Sequence, residues 1–385
     1  MVDRKIKMSK VLGICFLAVI FGLQLLGIFI PDRKTSAAEN RALQTFPAFR
    51  VSEYLDGRFE SKMDDYANDQ IPGRNRFIQV KAAADKTVGV LENNGVYRAK
   101  NDYLMENLTT PDPKNLKETE AALAGFAKSH PKLKMHFLLA PNAGNILSEN
   151  LPTTVQMADQ NKQMDDFYAS VEKSGITPID IRSAFTKAKD DVQLYYRTDH
   201  HWTTDGAYLA YRNSIGALTG GDKPEDFAPK VVKNDFRGTL YSKSGFVNGM
   251  DDAIKIYLPA NRDYRKSVIY YTDTQKKTAE FYQLKNLKKK DAYTVFGGSN
   301  HPMYTIETPV TGRKRLLLIK DSYANSFIPF LTQHYREIVV VDPRYYFENL
   351  EDLIQSEKVT DVLFLYNANT FFGDDSLKIM LGDTE

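Results

Sequence analysis

Leu316, Leu317, Leu318 and Ile319 form an unbroken apolar run that stops abruptly at Lys320-Asp321-Ser322. A strand wetted on one face alternates apolar with polar residues, whereas four consecutive large aliphatics demand cover on both faces. That demand points to a parallel sheet with helices packed on either side. Other apolar runs fit the same sheet: Lys134–Pro141, Thr177–Ile181, Val192–Tyr196, Glu337–Asp342 and Val362–Tyr366. Between them lie stretches with helical spacing, at Leu116–Lys128, Gln160–Lys173 and Asn349–Glu357. A further helix begins at Thr203 or Thr204, either of which serves as N-cap, and runs through Ala207, Ala210, Tyr211 and Leu218. The alternation predicts an α/β fold. Phe227 to about Val310 reads differently, with β-rich runs such as Lys255–Leu258 and Val268–Tyr271 and no helical spacing, and is expected to be an insertion over the sheet edge.

Open α/β sheets place their ligands at the carboxyl ends of the strands, where Ser322 falls. Ser322 also precedes the start of a helix, whose unpaired N–H groups favour an oxyanion. A plain reading makes it only the N-cap of that helix. As a nucleophile it needs a base to take its proton and a carboxylate to orient the base. Both occur upstream, the carboxylate 123 positions before Ser322, in Tyr195-Tyr196-Arg197-Thr198-Asp199-His200-His201-Trp202. Asp199 and His201 are two apart, so an extended segment turns both side chains to one side. His200 is then expected to face the other way, toward packing or substrate.

The Asp-His-His-Trp motif followed by an Asp-Ser motif resembles the DHHW protein family. That family is similar to the SGNH-hydrolase-like alginate and polysaccharide O-acetyltransferases. The resemblance implies Ser322 as nucleophile, His201 as general base and Asp199 as its orienter. Lys320 stands where many relatives carry glycine before the Asp-Ser pair. Further candidates for oxyanion or substrate contacts are Tyr323, Gly298 and Asn300 of the Gly297–Pro302 turn, Asn142 (or Asn145) of the Pro141–Asn145 turn, and Trp202. Asn142 has the alternative of closing its own turn, and Trp202 the alternative of simple core.

Val11–Ile30 is twenty residues without a charge, matching the ~20 that cross a bilayer. Arg4, Lys5, Lys7 and Lys10 precede it, so this run is expected to be a transmembrane helix with residues 1–10 cytoplasmic and everything after Pro31 outside. A cleaved signal peptide ending near Ser36-Ala37-Ala38 is the runner-up. Residues 31–92 are expected to form a helical arm, two helices divided at Pro72-Gly73, and 93–385 the SGNH-like domain with its insertion at about 227–310. Glu39–Leu43 resembles a segment that follows the anchor in the same family. Asn93-Asn94-Gly95 turns the chain into a hairpin at Val96-Tyr97 and Tyr103-Leu104.

Removing residues 1–10 from the 51 Lys+Arg and 49 Asp+Glu leaves 47 basic and 48 acidic side chains, a balance that gives no drive toward nucleic acid. The single cysteine, Cys15, supports neither a disulfide framework nor a thiolate metal site. The letters Asp-His-His also occur in metal-dependent phosphoesterases, but no His-Glu-x-x-His or clustered Asp-x-Asp pattern accompanies the six histidines here. No metal and no cofactor is expected. The apolar run after the basic residues predicts a membrane-anchored extracytoplasmic protein, and the resemblance implies a serine acyltransferase acting on a cell-surface or secreted polysaccharide. The resemblance further implies a membrane-bound O-acyltransferase partner as acyl donor. A carbohydrate esterase using the same three residues, or a surface scaffold without activity, are the alternatives.

Overall fold

The structure, a computed structural model, describes residues 2–36, 41–246, 249–260 and 267–382. It separates into two units, Met1–Val90 with Gly245–Val247, and Leu91–Ser244 with Asn248–Glu385.

The first unit opens with a helix, Val2–Phe29, along which Val11, Leu12, Ile14, Phe16 and Val19 are mostly exposed. Among the described residues no helix is long and apolar enough to cross a membrane. The side chains of residues 2–9, 20, 23, 24 and 28 lie outside the described set, and the transmembrane helix expected over Val11–Ile30 finds no support among the described residues. The expected cleavage site at Ser36-Ala37-Ala38 and the start of the Glu39–Leu43 segment also fall outside the described residues. Three helices follow, Val51–Leu55, Arg58–Gln70 and Arg74–Thr87. The break at Pro72-Gly73 was legible in the sequence. A second break is made by Gly57, whose φ of +76° ends the first short helix.

The second unit is built on an eight-stranded mixed sheet. Its strands are β1 Lys134–Ala140, β2 Thr177–Pro178, β3 Val268–Tyr271, β4 Lys276–Thr278, β5 Met303–Glu307, β6 Arg315–Lys320, β7 Glu337–Val341 and β8 Asp361–Asn367, in spatial order β4-β3-β5-β7-β6-β8-β1-β2. From β7 to β2 the pairs are parallel; β5, β3 and β4 extend the sheet antiparallel. The insertion therefore does more than cover an edge, because part of it joins the sheet. Its other part, Phe227–Phe236 with Asp252–Pro259, is a separate antiparallel pair.

The apolar runs do what the opening argument required. In β6, Leu316 and Leu318 enter one core while Leu317 and Ile319 enter the other, and β1, β7 and β8 divide the same way. On one face lies the helix Thr204–Thr219, contributing Ala207, Ala210, Tyr211, Ile215 and Leu218. The opposite face is covered by Pro113–Ser129 and Gln160–Lys173, through Leu123, Phe126, Met164, Phe167 and Val171. Each fully buried leucine of this kind contributes about 1.5–3 kcal/mol, so the three central strands that hold the nucleophile turn are its most firmly supported neighbours.

One expected strand is absent. Val192–Tyr196 does not enter the sheet; it makes a single antiparallel bridge, Tyr195 to Trp202, and loops over the carboxyl end of the parallel strands. Its polar neighbours explain why. The buried carboxylate of Asp252 accepts hydrogen bonds from the Arg197 and Thr198 N–H groups, the Thr198 hydroxyl and the Gln193 amide. The backbone donors of the two residues after the run, which would have continued a strand, are spent on one side chain instead.

Candidate active site

At the end of β6 the chain makes a short 3-10 helix, Ser322–Ser326. Its N-cap is Asp321 rather than Ser322: the Asp321 carboxylate accepts from the Tyr323 N–H at 2.9 Å and, across the sheet, from the Asn367 N–H at 2.8 Å. Capping by the preceding residue frees the serine hydroxyl for another partner. Burial pushes the Asp321 pKa up, opposed by those two backbone N–H groups. The Ser322 N–H has no hydrogen-bond partner among the described residues, which leaves it free to donate to a developing oxyanion.

Lys320 is 1 % exposed, with its ammonium 3.1 Å from the Asn325 side-chain oxygen and 3.4 Å from Asp342, which Arg344 also grips. Burial lowers the Lys320 pKa, and the Asp342 charge opposes that. The buried Lys320 side chain thus ties the strand end to the helix after the nucleophile.

The Asp199 segment closes on this turn. Ser322 Oγ lies 2.8 Å from His201 Nε2, and His201 Nδ1 lies 2.6 Å from Asp199 Oδ1. Asp199 and His201 are 2 % and 4 % exposed. The segment is not extended as expected but a tight bend, in which Asp199 Oδ1 also accepts the His201 N–H at 3.0 Å. The other oxygen, Oδ2, accepts the Thr239 N–H at 2.8 Å and hydroxyl at 3.0 Å. Burial pushes the Asp199 pKa up, but the charge that His201 and His200 carry when protonated, with the hydrogen bonds from His201 and Thr239, outweighs it and holds the carboxyl well below the usual range. An ionised Asp199 accepts the Nδ1–H of His201, so Nε2 presents a lone pair to the Ser322 hydroxyl. This is the protonation pattern a general base requires.

Several supporting residues were not legible in the sequence. Tyr293 stacks flat on the His201 ring, centroids 3.7 Å apart and planes 11° off parallel, and its hydroxyl donates to the Ser322 carbonyl at 3.1 Å. Gly238 admits Thr239 to Asp199: a Cβ there would lie 2.3 Å from the carboxylate. Glu106 accepts from the Asn142 amide at 3.0 Å, and its charge acts on His200 and Tyr323. Only the glycine had a sequence signal, as a residue that permits close approach, and it lay far from the motif.

The remaining sequence candidates divide. Tyr323 is buried, and its hydroxyl donates to the His200 carbonyl. Trp202 is fully buried, and its indole N–H donates to the Tyr323 carbonyl at 3.0 Å and to Ser326 Oγ at 2.9 Å, so it braces the nucleophile turn and offers no face to a sugar. The Asn142 amide group is spent on Glu106 and Asn367, and its oxygen accepts from Gln160 and Asn369. Asn145 bonds Asn161 at the surface. Gly298 donates its N–H to the Thr294 carbonyl, Asn300 is exposed, and no hydrogen bond joins either to Ser322 or His201 among the described residues. Gly298 instead lines a separate cavity of about 530 Å³ with Tyr271, Asn286 and His301. His200, expected to face away, instead lies with its ring 3.9 Å from that of His201. Asp199, His200 and His201 each offer an atom within 4.8 Å of the others, yet the 2.6 Å hydrogen bond between Asp199 and His201 occupies the gap an ion would need for bonds of about 2.0–2.2 Å to both atoms.

A parallel-centred sheet with serine, histidine and aspartate meeting at its carboxyl edge is the arrangement of an SGNH-hydrolase-like α/β fold, and comparison with known proteins agrees on the fold. Residues 98–267 match the family described as the SGNH hydrolase-like domain of the acetyltransferase AlgX; the match includes Asp199, His200, His201 and Trp202 and ends before Ser322. The chain resembles the probable alginate O-acetylase AlgJ of Pseudomonas syringae pv. tomato, at 24 % identity over 248 residues, 60 % of this chain and 60 % of that protein. It therefore spans about three-fifths of the length of that relative. Bacillus cereus PatB1 shares the fold with a TM-score of 0.61 and 21 % identity, covering 73 % of this chain and 98 % of PatB1. A DHHW family protein from Eubacterium siraeum does so with a TM-score of 0.58 and 22 % identity, covering 75 % and 95 %. The resemblance to the DHHW family and to the SGNH-hydrolase-like O-acetyltransferases, expected from two short motifs, is borne out.

Proposed function

We propose that this protein is a serine acyltransferase that moves acetyl groups onto a polysaccharide through an acyl-Ser322 intermediate. The observation that carries the reading is the continuous relay from Ser322 Oγ through His201 to Asp199. His201 Nε2 takes the Ser322 proton as Oγ attacks the carbonyl carbon of an acyl donor. The Ser322 N–H stabilises the tetrahedral oxyanion. Collapse expels the donor's leaving group, which takes the proton from His201. A sugar hydroxyl then gives its proton to His201 and attacks the acyl carbon; the bond to Oγ breaks, and Oγ recovers the proton. The similarity to a protein named as an alginate O-acetylase supports a polysaccharide acceptor.

The proposal places the catalytic unit outside the cell, held by the N-terminal helix, which rests on the twenty uncharged residues Val11–Ile30 and the basic residues before them. An extracytoplasmic enzyme has no access to cytoplasmic acyl carriers, so we also propose a membrane-bound O-acyltransferase as donor. Esterase chemistry, with water replacing the sugar, uses the same residues. The test supplies p-nitrophenyl acetate with and without hexamannuronate and measures acetylated glycan against free acetate. Acetylated glycan that disappears with Ser322→Ala supports transfer. Acetate alone moves the assignment to an esterase, and activity unchanged in Ser322→Ala removes both.

A further inference from the structure

His200 is not used by the mechanism above, yet the fold holds it beside the base. Its Nδ1 lies 2.6 Å from Thr239 Oγ1 and 3.8 Å from Asp199 Oδ1. The Thr239 hydroxyl has one hydrogen, and at 3.0 Å from the ionised Asp199 Oδ2 that hydrogen belongs to the carboxylate. Thr239 Oγ1 must then accept from His200, which fixes the proton on Nδ1 and leaves Nε2 a bare lone pair. Burial and the neighbouring His201 charge lower the His200 pKa, consistent with a neutral ring. The side chain is 29 % exposed, and Nε2 has no partner among the described residues.

The two rings thus turn their Nδ1 edges toward Asp199 and Thr239, carry their protons there, and keep both Nε2 lone pairs on the outer edges, where His201 meets Ser322. With ring centres 3.9 Å apart, the two acceptor rings lie side by side. Resting on the acyltransferase reading, we propose that His200 is a specificity residue that accepts a hydrogen bond from the hydroxyl next to the one being acylated, so that the site selects acceptors with a vicinal diol.

The test compares cis-1,2-cyclohexanediol with cyclohexanol as acceptors, p-nitrophenyl acetate serving as donor. His200→Asn keeps a donor at the Nδ1 position for Thr239 and removes the Nε2 acceptor; His200→Gln supplies an acceptor near the Nε2 position. Wild-type protein should transfer to the diol about tenfold faster than to the mono-alcohol, the value of one good hydrogen bond. His200→Asn should bring that ratio to near one, the two acceptors being compared within the same variant so that any change in Ser322 acylation cancels, and His200→Gln should restore most of it. A wild-type ratio near one, or a ratio kept in His200→Asn, overturns the inference and leaves the acyltransferase intact. Failure of the wild type to acylate Ser322 at all overturns both.

Discussion

Replacing Asp199 with asparagine probes the relay most sharply, because every atom of that carboxylate has an assigned partner. Oδ2 faces two donors, the N–H and hydroxyl of Thr239, and Oδ1 faces two more, the N–H and Nδ1–H of His201. An asparagine has one oxygen and one NH2 group, so one of those pairs must meet a donor. If the oxygen stays with Thr239, the NH2 group points at His201 Nδ1 and drives the proton to Nε2. His201 then donates toward Ser322 instead of accepting, and the serine has no base. If the oxygen stays with His201, the Thr239 N–H loses its acceptor, the Thr239 hydroxyl must turn to accept from the NH2 group, and the loop that holds Asp199 loosens. The first arrangement predicts a fall in Ser322 acylation of roughly four orders of magnitude, about 5 kcal/mol of barrier. Rapid-mixing release of p-nitrophenol by the purified variant, with its circular dichroism and melting midpoint as a check on folding, gives the number. A folded Asp199→Asn protein within tenfold of the wild-type rate would refute the tautomer argument.

Gly238→Ala should be nearly as damaging, since the new methyl would overlap the Asp199 carboxylate; a variant that acylates at the wild-type rate would show that Asp199 has room to move. Tyr293→Phe keeps the stacked ring but loses the hydroxyl bond to the Ser322 carbonyl, and should slow acylation by about tenfold. Tyr293→Ala should cost clearly more, so equal losses in the two would discount the stacking. Trp202→Phe removes the indole N–H from Tyr323 and Ser326 and should lower stability by about 1–3 kcal/mol in urea titration. Burial lowers the pKa values of His136 and His334, so the unfolded chain takes up these protons more readily. Each therefore contributes stability that is complete above about pH 6.5 and declines as the pH falls toward the folded value. Melting midpoints measured from about pH 7.5 to 5.5 should fall, and His334→Gln should flatten that fall; an unchanged slope would dismiss the His334 part.

The parallel half of the sheet was legible because its strands are buried on both faces, and Leu316–Ile319 or Val362–Tyr366 can hardly be anything else. Periodicity likewise placed the helices Gln160–Lys173 and Thr204–Thr219, and two motifs 123 residues apart named the three side chains that meet. Local reasoning failed where a distant side chain sets the backbone. Val192–Tyr196 has the composition of a strand, but Asp252 takes the donors of the following residues and bends the segment into a loop. For the same reason, two-residue spacing correctly placed His201 beside Asp199 but misplaced His200: the segment bends, and Thr239 draws the second ring in beside the first. Trp202 sits beside the base in sequence, but packing turned it inward to brace the serine. Tyr293 had no signal and Gly238 only that of a residue permitting close approach, because their roles depend on long-range contacts that no spacing records.

The measurement closest to the heart of the account is mass spectrometry of the peptide bearing Ser322 after brief exposure to p-nitrophenyl acetate and acid quenching. Wild-type protein should carry one acetyl group on Ser322, with the label absent from Ser322→Ala and strongly reduced in His201→Ala. An acetyl group found on another residue, or labelling of Ser322 that is indifferent to loss of His201, would contradict it.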